Sequence, residues 1–131
     1  MEFRTRKMVM DADLNPAGSL FGGRALAWID EEAAIFAYCQ LKYPKGSFLV
    51  TKKMSTVIFQ ASAHKGDILE IGLQTNKVGT TSITVELVLR NKITQAVIVH
   101  IDEIVFVNVV EKDGVNIPTP HGMTLENLPE K

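Results

Sequence analysis

The chain has 131 residues, of which 46% are hydrophobic and 22% are charged, and this predicts one globular domain, residues 1–131, with a sizeable core. The formal net charge of −1 gives no electrostatic basis for binding nucleic acid or a membrane surface, so neither is expected as a partner. Cys39 is the only cysteine, which excludes an internal disulfide and predicts a buried, unreactive thiol. Alternating N-terminal charges argue against a signal peptide, and no apolar run approaches the ~20 residues of a membrane span. A cytoplasmic protein is expected.

The first third of the chain predicts a strand, a turn and a long helix. The side chains of Phe3–Met10 form two alternating sets, as in a short strand. Asp11–Gly18 contains Asp, Asn, Pro and Gly close together, which is typical of a turn. Ser19–Leu41 has apolar residues on nearly every side, which is typical of a helix enclosed by protein. Ser19 is its predicted N-cap, and the helix should end before Pro44.

Two features distinguish this helix from an ordinary core helix. Gly22 and Gly23 fall in its first turn, where each glycine costs about 1 kcal/mol relative to alanine. Asp30 lies in its middle, and a carboxylate there is unfavourable unless it is paired, hydrated or reactive. Spacing alone supports an ion pair with Arg24 or Lys53 as well as it supports a catalytic role. The residues three and four positions from this aspartate are all small or apolar: Leu26, Ala27, Ala33 and Ala34.

The remaining chain predicts long strands. Phe48–Ala61, Ile68–Lys77 and Ser82–Asn91 are rich in β-branched residues and are separated by turn residues. Ala96–Val110 is apolar on both faces, and one helix can cover only one of them. A second subunit is the simplest second cover, which predicts a homodimer. The tail from Asp113 is predicted to be an irregular segment that lies along the surface.

Element lengths favour one architecture. The predicted helix is about 33 Å long, and the predicted strands span roughly 33–43 Å. Crossover helices between the strands are not predicted. We therefore expect an α+β fold in which a curved antiparallel sheet wraps around a long central helix.

The helix entry carries a resemblance to a known family. Asn15–Gly23 reads NPAGSLFGG, and Asp30 follows Gly22 by eight residues. This segment resembles the entry of hotdog-fold acyl-CoA thioesterases, particularly the YciA-type enzymes and the cytosolic long-chain acyl-CoA hydrolases. Phe59 followed by Gly66-Asp67 is similar to a strand–turn of the same family.

The resemblance implies a hotdog fold and hydrolysis of acyl-CoA to free acid and coenzyme A. It implies that Asp30 is the general base or nucleophile, that the helix N-terminus at Gly22 and Gly23 polarises the carbonyl, and that Asn15 positions water or carbonyl. Other interpretations are a tight helix entry for the glycines and a turn or cap for the asparagine. Coenzyme A enters only as part of substrate and product, and no cofactor is expected.

Contacts to coenzyme A are expected at a second segment. Val78–Ser82 is similar to a family segment, and the candidate residues there are Gly79, Thr80, Thr81 and Ser82. Lys77 and Arg90 are candidates for contacts with the phosphates, although a solvated charge is the ordinary role of such residues. One cysteine and three scattered histidines give no metal-ligand spacing, so no metal site is expected.

The predicted active site is shared between chains. Gly22 and Asp30 are about 12 Å apart along one helix, whereas a reacting carbonyl needs its oxyanion donors and its attacking atom within ~3–3.5 Å. A homodimer, or a multiple of dimers such as a hexamer, is expected. A non-catalytic acyl-CoA-binding hotdog protein is the alternative, and a hotdog dehydratase is a weaker one because the helix contains no histidine.

Overall fold

Six strands and one long helix make up the computed structural model, which describes residues 1–129. The helix α1 is Gly22–Gln40. The strands are β1 (Glu2–Met8), β2 (Phe48–Met54), β3 (Ile68–Val78), β4 (Ser82–Asn91), β5 (Val97–Lys112) and β6 (Val115–Pro118). Short 3₁₀ turns occupy Asp11–Asp13 and Leu125–Asn127. Within residues 1–129, no helix is both long and apolar enough to cross a membrane.

The strands form one antiparallel sheet in the order β1-β3-β4-β5-β2, and β6 pairs with the C-terminal end of β5, residues 109–112. The helix packs against four of the strands: β2, β3, β4 and β5. The expected α+β architecture, a hotdog fold with the sheet wrapped around the helix, is confirmed.

Only one face of α1 is buried in the single chain. Small side chains dominate that face, so the helix lies close to the sheet, and its buried residues are Ala25, Ile29, Ala33, Ala37 and Gln40. The opposite face is open: Phe21 is 56% and Ile35 is 51% exposed. The expectation of a helix enclosed on all sides is therefore wrong for the single chain, and so is the expectation that Cys39 is buried, because its thiol lies on the open side.

The helix begins two residues later than the sequence predicts. Phe21 is the N-cap residue, and Ser19 is instead extended in a bridge with His64. Leu20 N–H donates to the Ala63 carbonyl at 2.8 Å, which holds this stretch in an extended conformation. The predicted N-cap role of Ser19 is thus wrong, because tertiary pairing outweighs its local capping preference.

Two other element boundaries differ from the predictions. β2 ends at Met54 rather than at Ala61, and the following stretch rejoins β5 at the single bridge between Phe59 and Val99. The tail is not irregular from its start. Asp113 and Gly114 have positive φ angles of 52° and 78° and form the tight turn of a hairpin between β5 and β6.

Both faces of β5 are covered within one chain, whereas the sequence predicts that a second subunit covers one of them. Both alternating sets of its side chains are buried within one chain: Val99 and Ile101 are fully covered, and Ile98, Val107 and Val109 are at most 7% exposed. The segment after β2 covers one end, where Gln60 N–H donates to the Ile98 carbonyl at 2.8 Å. The apolar pattern of β5 therefore does not itself require a second subunit.

An ion pair joins β3 to β4 on the sheet. Arg90 and Glu70 are cross-strand partners, and Arg90 Nε donates to Glu70 Oε2 at 2.7 Å. The guanidinium also lies 3.5 Å from the centre of the Phe3 ring. Phe3 approaches β3 closely at Gly72, where a Cβ would lie 2.7 Å from the ring. Burial alone would raise the pKa of Glu70, but hydrogen bonds from Arg90 and Gln95 lower it overall.

Replacing Arg90 tests this ion pair. Arg90→Met removes the ion-pair partner of the buried Glu70 carboxylate and should lower the free energy of unfolding by roughly 3 kcal/mol. Lys77→Met, at an exposed position on β3, should have little effect. Because the native pKa of Glu70 is lowered, its stabilisation is complete above the ordinary carboxyl value of 4.5 and is lost as the pH falls through the native value. The difference in the free energy of unfolding between wild type and Arg90→Met, measured by urea denaturation, should narrow as the pH falls below 4.5. A difference that is independent of pH would contradict the assignment.

Candidate active site at the helix entry

A cavity of about 260 Å³ opens beside the start of α1. Asn15 and Gly22 line one side of it. Phe59, Ser62 and Ile98, from the segment after β2 and from β5, line the other. The loop and the helix start thus meet across the fold, and two of the predicted catalytic residues share one cavity.

The Asn15 side chain has two distinct ends. Its Oδ1 accepts hydrogen bonds from Ala17 N–H at 2.9 Å and from Ser19 N–H at 3.0 Å. The loop is therefore closed by this side chain, as the turn interpretation predicts. The Nδ2 group has no hydrogen-bond partner among residues 1–129, so it remains a donor for a molecule in the cavity.

The helix N-terminus beside the cavity is uncapped. Phe21 offers no side-chain cap, and within residues 1–129 the N–H groups of Gly22 and Gly23 have no backbone acceptor. These donors lie at the positive end of the helix dipole. A Cβ on Gly22 would lie 3.4 Å from the Phe59 ring, and one on Gly23 would lie 3.0 Å from the Phe21 ring. The glycine pair therefore accommodates two aromatic rings and leaves its backbone accessible.

Asp30 is half-buried on α1 and is bound by a hydroxyl group. Thr51 Oγ1 on β2 donates to Asp30 Oδ1 at 2.8 Å. Neither of the predicted ion pairs is present: Arg24 instead binds Asp13 at 3.2 Å, and Lys53 binds Glu103 at 3.5 Å. The carboxylate thus has a hydrogen bond to orient it and, among the described residues, no cation to neutralise it.

Asp30 belongs to a stripe of small residues along the open side of α1. The stripe, with spacings of four, three and four residues, comprises Gly23, Ala27, Asp30 and Ala34. Gly23 and Ala27 are exposed, and the other two are half-buried. The stripe lies beside β2, which ends the main sheet path and contacts Asp30 through Thr51. Within one chain Asp30 does not line the Asn15–Gly22 cavity.

The second predicted site lies at the β3–β4 turn. Gly79 N–H donates to the Ser82 carbonyl at 3.0 Å and closes the turn. A Cβ on Gly79 would lie 2.5 Å from Ser82 Oγ. Thr80 is exposed at its tip and Thr81 is half-buried. The turn is therefore a compact, accessible backbone structure.

The two candidate cations are placed very differently. Lys77 is exposed near the end of β3, two residues before the turn. Arg90 lies near the opposite end of β4, about 26 Å from Ser82 at ~3.3 Å per residue, and its guanidinium binds Glu70. The structure therefore does not bring Arg90 to the turn, and it gives this side chain a structural partner that the sequence spacing did not reveal.

Some neighbours of these residues were missed at the sequence level. Thr51 binds Asp30, and the tail residue His121 binds the Ser82 carbonyl; no short motif predicts such long-range contacts.

The spacing of potential metal ligands along the sequence also does not predict a group that forms across β4 and β5. Glu86, His100 and Asp102 place potential metal-ligating atoms within 4.8 Å of one another, but His100 Nε2 and Glu86 Oε2 are hydrogen-bonded to each other at 2.5 Å. No metal role is assigned to this group.

Comparisons with known proteins identify the family. A model of the thioesterase superfamily matches residues 17–98. A hexameric thioesterase from Yersinia pestis has a similar structure with a TM-score of 0.76 and 25% identity, covering 92% of this chain and 97% of that chain. A hexameric acyl-CoA thioesterase in its apo form has a TM-score of 0.70 and 31% identity, covering 88% of this chain and 73% of that chain.

A third similar structure contains ligands. It is an acyl-CoA hydrolase from Staphylococcus aureus in complex with butyryl coenzyme A, coenzyme A and coenzyme A disulfide, and it has a TM-score of 0.70 and 28% identity, covering 88% of this chain and 67% of that chain. No curated protein matches the chain. The family model covers more than half of the sequence, and the chain therefore belongs to the thioesterase superfamily.

Proposed function

We propose that the protein is an acyl-CoA thioesterase that hydrolyses acyl-coenzyme A to the free acid and coenzyme A. Two of the similar structures are an acyl-CoA thioesterase and an acyl-CoA hydrolase, and they support the substrate class. The observation that carries the proposal is the Asp30 carboxylate, which is half-buried, oriented by Thr51 and paired with no cation among the described residues.

Thioester hydrolysis gives this carboxylate a direct role. Asp30 either takes a proton from the water that attacks the carbonyl carbon, or attacks that carbon itself to form an anhydride that water then hydrolyses. In both routes the thiolate of coenzyme A leaves and the acid is released. Thr51 fixes one carboxylate oxygen by its hydrogen bond, so the other oxygen is available to react.

The oxyanion that develops on the thioester carbonyl needs hydrogen-bond donors. The uncapped N–H groups of Gly22 and Gly23 supply them at the positive end of α1. Asn15 acts with them as a donor through Nδ2, because its Oδ1 is already occupied by two backbone N–H groups. Its proposed target is therefore an acceptor: the carbonyl oxygen or the oxygen of the attacking water.

The two halves of this machinery come from two chains. One chain's Asn15 and Gly22 would face the partner's Asp30, because a single helix separates its own N-terminus from Asp30 by about 12 Å. The small-residue stripe on α1 allows a second helix to approach closely, and the free edge of β2 beside it allows the sheet to continue. We propose a homodimer assembled in this way, and a hexamer of three such dimers in line with two similar structures.

Coenzyme A is proposed to lie against the turn at Gly79–Ser82, with the exposed Lys77 near its phosphates. A glycine-containing turn lets the backbone approach a ligand closely. Arg90 is left out of this site because of its distance and its bond to Glu70. No further cofactor enters the proposed reaction.

Asp30→Asn tests the proposed chemistry. The substitution retains the shape of the side chain and removes both its basicity and its nucleophilicity, so kcat should fall by on the order of 10²–10⁴. The matched control is Glu31→Gln, which removes the same charge from the next, exposed residue of α1 and should leave kcat unchanged. Steady-state hydrolysis of a panel of acyl-CoA substrates measures both. Near wild-type turnover by Asp30→Asn, in a folded protein, would refute the assignment.

A pair of substitutions at Asn15 separates its two roles. Asn15→Asp retains the acceptor oxygen that closes the loop, so stability should be unchanged, but it removes the Nδ2 donor and should lower kcat at least about tenfold. Asn15→Ala removes both ends and should also lower the free energy of unfolding by about 1–2 kcal/mol. Urea denaturation and turnover of the two variants check these outcomes. Full activity in Asn15→Asp would show that the donor has no part in the reaction.

A further inference from the structure

The C-terminal segment 119–123, named here the strap, is hydrogen-bonded to the turn at Gly79–Ser82. His121 N–H donates to the Thr80 carbonyl at 3.2 Å, and the His121 ring nitrogen Nε2 lies 2.9 Å from the Ser82 carbonyl. The strap is itself fixed to β5, where Thr119 N–H donates to the Asn108 carbonyl at 2.8 Å. One stretch of the tail thus holds two of the four residues of the turn.

The hydrogen bonds of His121 determine its tautomer. Met123 N–H donates to His121 Nδ1 at 3.0 Å, so Nδ1 carries no proton. Nε2 therefore carries the proton of the neutral ring and donates it to the Ser82 carbonyl. Both ring nitrogens are used within the strap and the turn, and the ring acts as a fixed bridge between them.

Asn108 provides a second, independent connection. It is 1% exposed, its N–H donates to the Thr81 carbonyl at 2.7 Å, and its Nδ2 donates to the Thr119 carbonyl at 3.0 Å. Its Oδ1 is buried without a hydrogen-bond partner among the described residues. An apolar side chain would avoid this desolvation cost, so the amide is unfavourable for packing, and its side-chain bond serves the strap.

We propose that His121 and Asn108 are positioning residues for the coenzyme A moiety of the substrate: through the strap they fix the Gly79–Ser82 turn in the conformation that binds it. This inference rests on the proposed function and extends it to residues in the tail and in β5. Neither residue lies at the helix entry with Asn15 and Gly22. Replacing either one should therefore weaken binding of coenzyme A and leave the rate of the chemical step unchanged.

Substitutions of His121 test the bridge to the turn. His121→Leu removes the Nε2 donor, and we expect the Kd for coenzyme A and the KM for acyl-CoA to rise about 3- to 10-fold, as for the loss of one hydrogen bond, with kcat within about twofold of wild type. His121→Gln places an amide donor near the position of Nε2 and should restore both constants. Asn116→Ala, at an exposed position on β6 of the same tail, is the control and should change neither. Calorimetry with coenzyme A and steady-state kinetics measure these values.

Amide hydrogen exchange provides a readout that does not depend on activity. In His121→Leu, exchange at residues 79–82 should be faster than in wild type and in Asn116→Ala. Unchanged exchange would show that the strap does not fix the turn. Faster exchange with an unchanged Kd and KM would show that the turn does not bind coenzyme A. Either result overturns the inference. The second also removes the turn from the proposed coenzyme A site, and both leave the proposed hydrolysis of acyl-CoA at Asp30 untouched.

Asn108→Leu tests the second connection without relying on His121. It removes the bond to Thr119 together with the unpartnered oxygen, so we expect a melting temperature no lower than that of wild type but a raised Kd and KM. An unaltered Kd in this folded variant would contradict the role of Asn108. If the wild-type protein neither binds coenzyme A nor hydrolyses any acyl-CoA, the proposed function itself has failed, and this inference falls with it.

Discussion

Close packing against the sheet fixes the orientation of α1 about its own axis, and this orientation determines which side chains face the sheet and which remain open. Three buried alanines and Ile29 pack the helix closely against the sheet, and such close packing tolerates little rotation because interiors have few voids. This packing leaves the stripe from Gly23 to Ala34 on the open side, beside β2. It also places Asp30 within reach of the Thr51 hydroxyl. Rotating α1 by about 100°, the angle between successive residues of a helix, would move Asp30 to the position of the buried Ile29 and expose part of the apolar face.

The same packing separates the proposed catalytic residues. Asn15 and Gly22 meet at the cavity beside the helix N-terminus, and Asp30 lies about two turns further along, ~12 Å away. One rigid helix cannot bring its N-terminus and its own Asp30 to a single carbonyl carbon. In the proposed dimer, the open stripe and the free β2 edge are where a second chain would complete the site. The proposed catalysis therefore depends on assembly, and the polar groups that are unsatisfied in one chain become useful in a pair.

The sequence could predict what local patterns control. The span of α1, the positions of the long strands and the closeness of Asn15 to the helix entry follow from periodicity, turn residues and the family motif. The structure differs where long-range pairing decides. Ser19 is extended because it pairs with His64, and Arg90 is structural because strand register places it opposite Glu70. Cys39 is exposed because the rotation of α1, and not its composition, determines which side of the helix is covered.

A mixture of two impaired variants distinguishes a shared site from a site within one chain. Asn15→Asp should retain at most about a tenth of wild-type activity and Asp30→Asn at most about a hundredth, and the two are unfolded and refolded together in equal amounts. In a heterodimer with shared sites, one site collects both substitutions and the other is wild type. Random pairing then restores roughly a quarter of wild-type activity. If both residues served one site within a single chain, every site would keep one defect. Activity of the mixture no higher than the mean of the two separate variants, with heterodimers demonstrated by mass spectrometry, would contradict the shared site.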